Sequence, residues 1–157
     1  LGFNKALYPN ILVMDGDLQH PPKFIKHMLN IFISGNYDFV IGTRNLLKKK
    51  DPCLSYIRYV SSLFIIIIIN FLLGNKTKDP MSGFFIFKKK IYKKNKKNLY
   101  GVGYKILADL IYSSNNTLKI TDKDIFFDKR RSGKSKMNIW VLFQLIIFII
   151  IKSIKRF

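Results

Sequence analysis

The feature that most constrains the fold is a short apolar run that ends in acidic residues. Residues 11–14 are four consecutive apolar residues, and Asp15-Gly16-Asp17 follows them directly. An uninterrupted apolar run of this length, bounded by a turn signal, predicts a β-strand that is buried on both faces. Such strands belong to sheets that helices cover on both sides, so the run favours an α/β fold.

The next segments complete a strand–helix–strand unit. After a Pro-Pro pair, apolar residues recur at helical spacing over residues 24–32, and Gly35 marks the predicted end of the helix. A second apolar strand over residues 37–41 ends shortly before Arg44. Strand, helix and strand within about 30 residues predict a βαβ unit. The later segments are expected to be a helix over 54–73, a strand over 82–87, a solvated helix or loop over 88–97, a helix over 104–112, and one or two strands over 118–127.

The acidic turn carries the sharpest chemical signal. Alternate side chains of an extended chain share a face, so Asp15, Asp17 and Gln19 are expected to project together from the carboxyl end of the first strand. Ligands bind at that end in open α/β sheets, and three oxygen-bearing side chains suit a hard cation such as Mg2+ or Mn2+. The alternative is an ordinary Asp-Gly turn. His20 and His27 fit no catalytic or metal-binding spacing, and both are expected to be structural.

The charge balance points to anionic partners. The chain has 28 Lys and Arg residues against nine acidic residues, all of them Asp, and its net charge is +19. A strongly basic chain is attracted to nucleic acid, anionic lipid or phosphorylated substrates. Only five of the basic residues are Arg, and a guanidinium binds phosphate in a bidentate manner, so Arg44, Arg58 and Arg130 are candidate phosphate ligands. The single Cys53 excludes a disulfide framework within the chain and a Cys-based zinc site.

Two apolar segments raise the question of membrane contact. Residues 139–151 are apolar apart from Gln144, with Trp140 near one end and Lys152, Lys155 and Arg156 after the other. These 13 residues are fewer than the ~20 of a membrane span, and their aromatic and basic ends are typical of a helix in the headgroup layer. We therefore favour an interfacial helix, or the start of a span, over an ordinary core helix. For residues 63–73 both interpretations stay open.

Six segments, in order, resemble family 2 glycosyltransferases of the dolichol-phosphate or polyprenol-phosphate mannosyltransferase group. The family usually has Ala where Gly16 stands and Glu where Lys134 stands. The six segments are Val13-Met14-Asp15-Gly16-Asp17-Leu18-Gln19-His20-Pro21-Pro22, Val40-Ile41-Gly42-Thr43-Arg44, Arg58 with Ser62, Asp79-Pro80-Met81-Ser82-Gly83-Phe84-Phe85, Gly103-Tyr104-Lys105-Ile106-Leu107, and Arg130-Arg131-Ser132-Gly133-Lys134-Ser135-Lys136.

The resemblance implies an incomplete GT-A type, Rossmann-like domain over residues 1–136. Residues 137–157 would form a membrane-interface helix or the start of a transmembrane segment. It also implies inverting, metal-dependent transfer of a sugar, most often mannose from GDP-mannose, to a polyprenol or dolichol phosphate at the cytoplasmic face of a membrane, without nucleic acid as a partner. By position, the implied roles are metal binding for Asp15, Asp17 and Gln19, phosphate binding for Arg44, Arg58, Ser62, Arg130 and Lys136, catalysis for Asp17 and Arg130, and a second signature formed by Asp79, Ser82 and Gly83.

Three alternatives stay open at this point. The resemblance implies that the strand and loop that bind the nucleotide base precede Leu1, so the sugar could equally be glucose or another sugar. For the same reason the isolated chain is expected to be inactive, and it could be a non-catalytic remnant. A basic nucleic-acid-binding module would account for the charge, although the Lys runs lie beside Ile-rich segments rather than in a recognised reader motif.

Overall fold

The chain folds around one mixed β-sheet. The structure, a computed structural model, describes residues 2–17, 19–44, 56–102, 105–114, 117–127 and 139–154, apart from the side chains of residues 57, 58, 139, 141 and 142. Within these residues helices alternate with four strands, which confirms the predicted α/β class. The strands are β1 (Asn10–Val13), β2 (Phe39–Thr43), β3 (Phe85–Lys88) and β4 (Ile120–Asp124). The helices are α1 (Gly2–Lys5), α2 (Lys23–Ser34), α3 (Tyr56–Leu73), α4 (Lys89–Asn95, followed by a 3-10 turn, Lys96–Asn98), α5 (Ile106–Tyr112) and α6 (Ile139–Ile154).

The strand order within the sheet is β1-β3-β2-β4. Strand β3 runs antiparallel to both neighbours, with Phe85 opposite Val13 on one side and Ile41 on the other, and β4 runs parallel to β2. The predicted βαβ unit is therefore correct in strand direction, but β3 lies between its two strands. As a result, the carboxyl ends of β1, β2 and β4 and the amino end of β3 meet at one edge, where open α/β sheets bind ligands.

Strand β1 differs from its prediction. Asn10 and Leu12 are exposed, and Ile11 and Val13 are only partly buried, so the expectation of burial on both faces is wrong in the described structure. The reason is its position: among the described strands β1 pairs with β3 alone and lies at the outside of the sheet. The full burial expected for β1 is found instead in β2, the strand between β3 and β4.

Apolar side chains cover both faces of the sheet. Successive residues of a strand point to opposite faces. Accordingly, Phe85 and Phe87 pack with α4 and α5 on one face, while Phe84 and Ile86 pack with α2 on the other. Helix α4 belongs to the segment that was expected to be solvated, but it buries Ile91 in the core, so only part of its surface faces water.

Helices α3 and α6 pack against each other beside this core. Their contact contains Ile65 and Ile69 from α3 and Leu145 and Phe148 from α6, together with Ala108 from α5. Within the described part of the chain, no helix is both long enough and apolar enough to cross a membrane.

Lys152, near the end of α6, does not belong to an exposed basic cluster, and that part of the prediction is wrong. Its Nζ lies 3.1 Å from Oδ1 of Asp109 on α5, and the two side chains are 3% and 4% exposed. The same ammonium donates hydrogen bonds to Oγ of Ser113 and to the carbonyl oxygen of Asn98. This buried ion pair holds α6 against α5, so the charge of Lys152 stabilises the packing of the two helices. The rest of the predicted cluster follows residue 154 and lies outside the described residues.

Candidate active site

Four segments of the chain meet at the ligand-binding edge of the sheet. They are the loop of residues 14–20 after β1, Arg44 after β2, the loop of residues 77–84 before β3, and residues 125–127 after β4. Strand direction, not nearness in sequence, brings them together. The edge therefore combines carboxylates, a guanidinium group and aromatic rings.

Asp15 lies directly over Gly83. A Cβ atom at position 83 would lie 2.8 Å from Cγ of Asp15 and 2.9 Å from its Oδ1, which is closer than ordinary van der Waals contact. Only glycine leaves room for the carboxylate here. The contact joins the first predicted signature to the second, and the Asp15 side chain stays 62% exposed, so a ligand can reach its oxygens.

An Asx turn shapes the rest of the acidic loop. Oδ1 of Asp17 accepts a hydrogen bond from the backbone N–H of Gln19 at 3.1 Å. Asp side chains favour turns of this kind because they bind the backbone two residues further on. Asp17 and Gln19 are both half-buried. Residues 16 and 17 form a turn and not an extended chain, so the expectation that Asp15, Asp17 and Gln19 share one face of an extended segment is wrong, although the three residues lie in one loop.

His20 closes this loop, and the sequence did not identify it as part of the site. The residue is buried, as expected of a structural histidine, but its Nδ1 accepts a hydrogen bond from the backbone N–H of Asp15 at 3.0 Å. Burial lowers the pKa of His20, while the nearby carboxylates of Asp15 and Asp17 oppose that shift. The signal that could have found it is its position in the sequence, directly after the acidic motif.

Arg44 faces a buried carboxylate. Its Nε lies 3.8 Å from Oδ2 of Asp79, and among the described residues neither atom has a hydrogen-bond partner. Burial raises the pKa of Asp79, and the guanidinium of Arg44 acts in the opposite direction. The guanidinium carbon also lies 5.1 Å from the ring centroid of Phe127. Arg44 is thus held between a carboxylate and an aromatic ring, with 23% of its side chain exposed.

Hydrogen bonds fix the loop that carries Asp79 to the two neighbouring strands. Oγ of Ser82 donates to the carbonyl oxygen of Gly42 at 2.6 Å, at the end of β2. Oγ1 of Thr77 donates to Oδ1 of Asp122 in β4 at 2.6 Å, and the backbone N–H of Lys78 donates to the other oxygen at 2.9 Å. Burial raises the pKa of Asp122, and these hydrogen bonds partly offset the shift. Ser82 therefore has a positioning role.

Comparison with known proteins gives the family. A family model described as glycosyl transferase family 2 matches residues 1–96 of the 157. The chain belongs to glycosyl transferase family 2. The matched part of this family 2 chain includes the acidic loop, Arg44 and the loop around Asp79, which are the segments that meet at the edge of the sheet.

Several curated relatives are named dolichol-phosphate mannosyltransferase. That of Mycosarcoma maydis is 31% identical over 147 residues, which cover 91% of this chain and 48% of the relative. That of Pyrococcus furiosus is 30% identical over 145 residues, covering 91% and 40%. That of Saccharomyces cerevisiae is 30% identical over 152 residues, covering 91% and 54%. The predicted family is confirmed, and the chain spans about half the length of these relatives.

A solved structure has the same fold. The glucosyl-3-phosphoglycerate synthase of M. tuberculosis superposes with a TM-score of 0.61 and 14% sequence identity, covering 99% of this chain and 52% of that one. Similarity at this level of identity concerns the fold alone. It confirms the predicted GT-A type sheet for this family 2 chain.

The structure gathers part of the predicted site. Asp15, Asp17 and Gln19 share one loop, and Asp15, Arg44 and the second signature meet at one edge. Ser62 is half-buried on α3. Three predicted phosphate ligands lie outside the described residues, namely the side chain of Arg58, Arg130 and Lys136. Their roles stay predictions, and so does the domain boundary after residue 136.

The donor chemistry of the acidic loop fits a divalent cation. In the described part of the chain, no three His, Cys, Asp or Glu side chains are grouped so that they could hold a metal ion. The predicted set instead has two carboxylates and one amide, all of them oxygen donors, which Mg2+ and Mn2+ prefer. Such a small protein set leaves coordination positions for phosphate oxygens of a substrate.

Proposed function

We propose that this chain forms part of an enzyme that transfers a sugar from a nucleotide sugar to a polyprenol or dolichol phosphate. The first candidate reaction is transfer of mannose from GDP-mannose. Three relatives named dolichol-phosphate mannosyltransferase, each about 30% identical over 91% of this chain, support it. Glucose or another sugar remains the alternative within the same class of reaction.

The observation that carries the proposal is the meeting of Asp15 with Arg44 and the loop around Asp79 at one edge. A lipid phosphate is an anion at neutral pH, so it can attack the sugar carbon without a strong general base. A phosphate oxygen forms the new bond to that carbon, and the bond to the nucleotide diphosphate breaks on the opposite side, which inverts the configuration. The protein then has to align two anionic reactants and stabilise the leaving diphosphate.

Each group at the edge has a role in this reaction. Asp15, Asp17 and Gln19 would hold Mg2+ or Mn2+, which when bound neutralises negative charge on the leaving diphosphate. Arg44 offers a guanidinium for bidentate contact with a phosphate, and the buried carboxylate of Asp79 lies 3.8 Å from its Nε. We assign the remaining phosphate contacts to Arg58, Ser62, Arg130 and Lys136, and a catalytic role to Arg130 as the family resemblance implies.

We place the enzyme at the cytoplasmic face of a membrane, and the exposed apolar side chains of α3 and α6 support the membrane contact. Although α3 and α6 pack together, both keep large apolar side chains in water, including Phe71 at 85% exposure and Trp140 at 67%. Burying each such side chain in lipid is worth about 1.5–3 kcal/mol. Phe71→Ser combined with Trp140→Ser should therefore weaken vesicle binding more than tenfold in a flotation assay. The control Tyr8→Ser, at a side chain 76% exposed before β1, should bind as wild type.

A donor panel tests the proposed function. The intact protein, reconstituted with dolichol phosphate and Mn2+, is given radiolabelled GDP-mannose, UDP-glucose and UDP-N-acetylglucosamine in separate reactions. We expect a lipid-extractable product from GDP-mannose, with the configuration at the sugar carbon inverted. If only a UDP-sugar gives product, that nucleotide sugar replaces GDP-mannose as the proposed donor. The absence of product with every donor would contradict the proposal.

A further inference from the structure

We infer that His20 is a positioning residue that fixes Asp15 through one tautomer of a neutral imidazole. The Nδ1 atom of the ring accepts a hydrogen bond from the backbone N–H of Asp15 at 3.0 Å, and Nε2 lies 4.0 Å from the carboxylate oxygen Oδ2, beyond hydrogen-bond distance. One side chain thus fixes the main chain of a predicted metal ligand and lies beside its carboxylate. The connection to metal binding rests on the proposed function, whereas the tautomer does not.

The hydrogen bond decides which nitrogen carries the proton. A backbone N–H can only donate, so the Nδ1 atom that accepts it is unprotonated. In a neutral ring the proton is then on Nε2, the nitrogen that faces the carboxylate of Asp15. The other tautomer would bring two N–H groups together and would leave the backbone N–H of Asp15 without its partner. Fixing the tautomer by the bond made at the other nitrogen is a general property of histidine.

The surroundings keep the ring in this orientation. Phe84 stacks on the imidazole at 5.1 Å between centroids and 13° between planes, and Phe127 meets it edge-on at 4.6 Å and 74°. The ring of Phe127 also contacts the guanidinium of Arg44. His20 therefore links the acidic loop to the ring that supports the phosphate-binding arginine. A shift at His20 would move both parts of the site.

The backbone at this point is equally restricted. The next two residues are Pro21 and Pro22, and Pro22 sits at the start of α2 with φ of −59°. A residue before proline is confined to extended conformations. The carbonyl oxygens of Pro21 and Pro22 accept hydrogen bonds from Phe24 and Ile25 at 3.2 and 3.0 Å, which ties this turn to the helix. His20 therefore lies three residues before α2, on a turn that hydrogen bonds join to the start of that helix.

Two variants separate positioning from simple core packing. His20→Phe keeps an aromatic ring between Phe84 and Phe127 but removes the nitrogen that accepts the backbone N–H of Asp15. His20→Asn removes the ring but offers a side-chain oxygen that can accept the backbone N–H of Asp15. The matched control is His27→Phe, because His27 is exposed on α2.

The experiment uses the intact protein with 15N-labelled histidine. NMR should show His20 with an unprotonated Nδ1 and a protonated Nε2, and the Asp15 amide should be protected from hydrogen exchange. His20→Phe should lose that protection and bind Mn2+, measured by the EPR signal of the free ion, about 10–100-fold more weakly, as is typical when a partner of a metal ligand is removed. His20→Asn should recover part of both, and His27→Phe should change neither.

A protonated Nδ1, or a His20→Phe variant with wild-type Asp15 protection and Mn2+ affinity, would overturn the inference. If the wild type binds no Mn2+ even with a nucleotide sugar, the metal part of the proposed function fails, while the tautomer and the Asp15 amide still decide the role of His20. If His20→Phe does not fold, the wild-type tautomer and the His20→Asn variant still show whether His20 positions Asp15.

Discussion

Gly83→Ala places a methyl group where the carboxylate of Asp15 now lies. The new Cβ would be 2.8 Å from Cγ of Asp15 and closer still to Oδ2, whereas ordinary contacts begin at 3.4 Å, so the carboxylate must move by at least about 0.6 Å. Asp15 is 62% exposed and can rotate into water. An off-rotamer side chain costs about 0.5–1.5 kcal/mol, so we expect only a small loss in the free energy of unfolding.

The effect on activity should be much larger than the effect on stability. A displacement of about 1 Å in a site that aligns reactants can lower the rate about 100-fold. For a shift of this size at Asp15 we expect kcat/KM for sugar transfer to fall roughly 10- to 100-fold, with a higher Mn2+ concentration needed for half-maximal rate. The assay is transfer by the intact protein over a Mn2+ titration, beside thermal denaturation followed by circular dichroism.

Gly16→Ala is the matched control. A Cβ at position 16, between the two acidic residues, meets nothing within 4 Å. Its kcat/KM should therefore stay within about twofold of wild type, a difference of less than 0.5 kcal/mol. Wild-type activity and Mn2+ dependence in Gly83→Ala would show that transfer does not depend on the position of Asp15 over Gly83.

Two further substitutions test the buried charges. Asp79→Asn should weaken transfer and flatten the pH dependence of urea unfolding. Burial raises the pKa of Asp79 above 3.8, so the free energy of unfolding of the wild type falls as pH rises from 3.8 through the folded pKa. An unchanged pH profile in Asp79→Asn would contradict this. Lys152→Met removes the cation paired with Asp109 and should lower the free energy of unfolding by about 3 kcal/mol, seen as a lower denaturation midpoint. The control Lys90→Met, at an exposed residue of α4, should lower it by less than about 0.5 kcal/mol. Equal losses in the two variants would argue against the buried ion pair.

The local pattern predicted the helices and strands well because they depend on near neighbours in sequence. The apolar run before Asp15 ends at the predicted turn, and the apolar stretches around residues 56–73 and 139–154 are helices. Burial of β1 was wrong because it depends on sheet order. A local pattern shows that a strand is apolar but not whether other strands lie on both sides of it.

Contacts between distant segments could not be read from the sequence. Asp15 meets Gly83 only because β3 pairs beside β1, and His20 is buried only because Phe84 comes from the loop before β3 and Phe127 from the segment after β4. Lys152 is an intermediate case. Its spacing of three from Ile149 and four from Phe148 places it on the buried side of α6, but its partner Asp109 becomes evident only in the fold.

The role of the acidic loop is tested most directly by sugar transfer with the intact protein in three forms: wild type, Asp17→Asn and Asp38→Asn. The third is the control, since Asp38 precedes the amino end of β2, at the opposite edge of the sheet, and pairs there with Lys88 at 3.2 Å. We predict mannosyl transfer to dolichol phosphate by the wild type and by Asp38→Asn, and none by Asp17→Asn. Full activity in Asp17→Asn, with the wild type active, would contradict the claim that the acidic loop is the centre of the site.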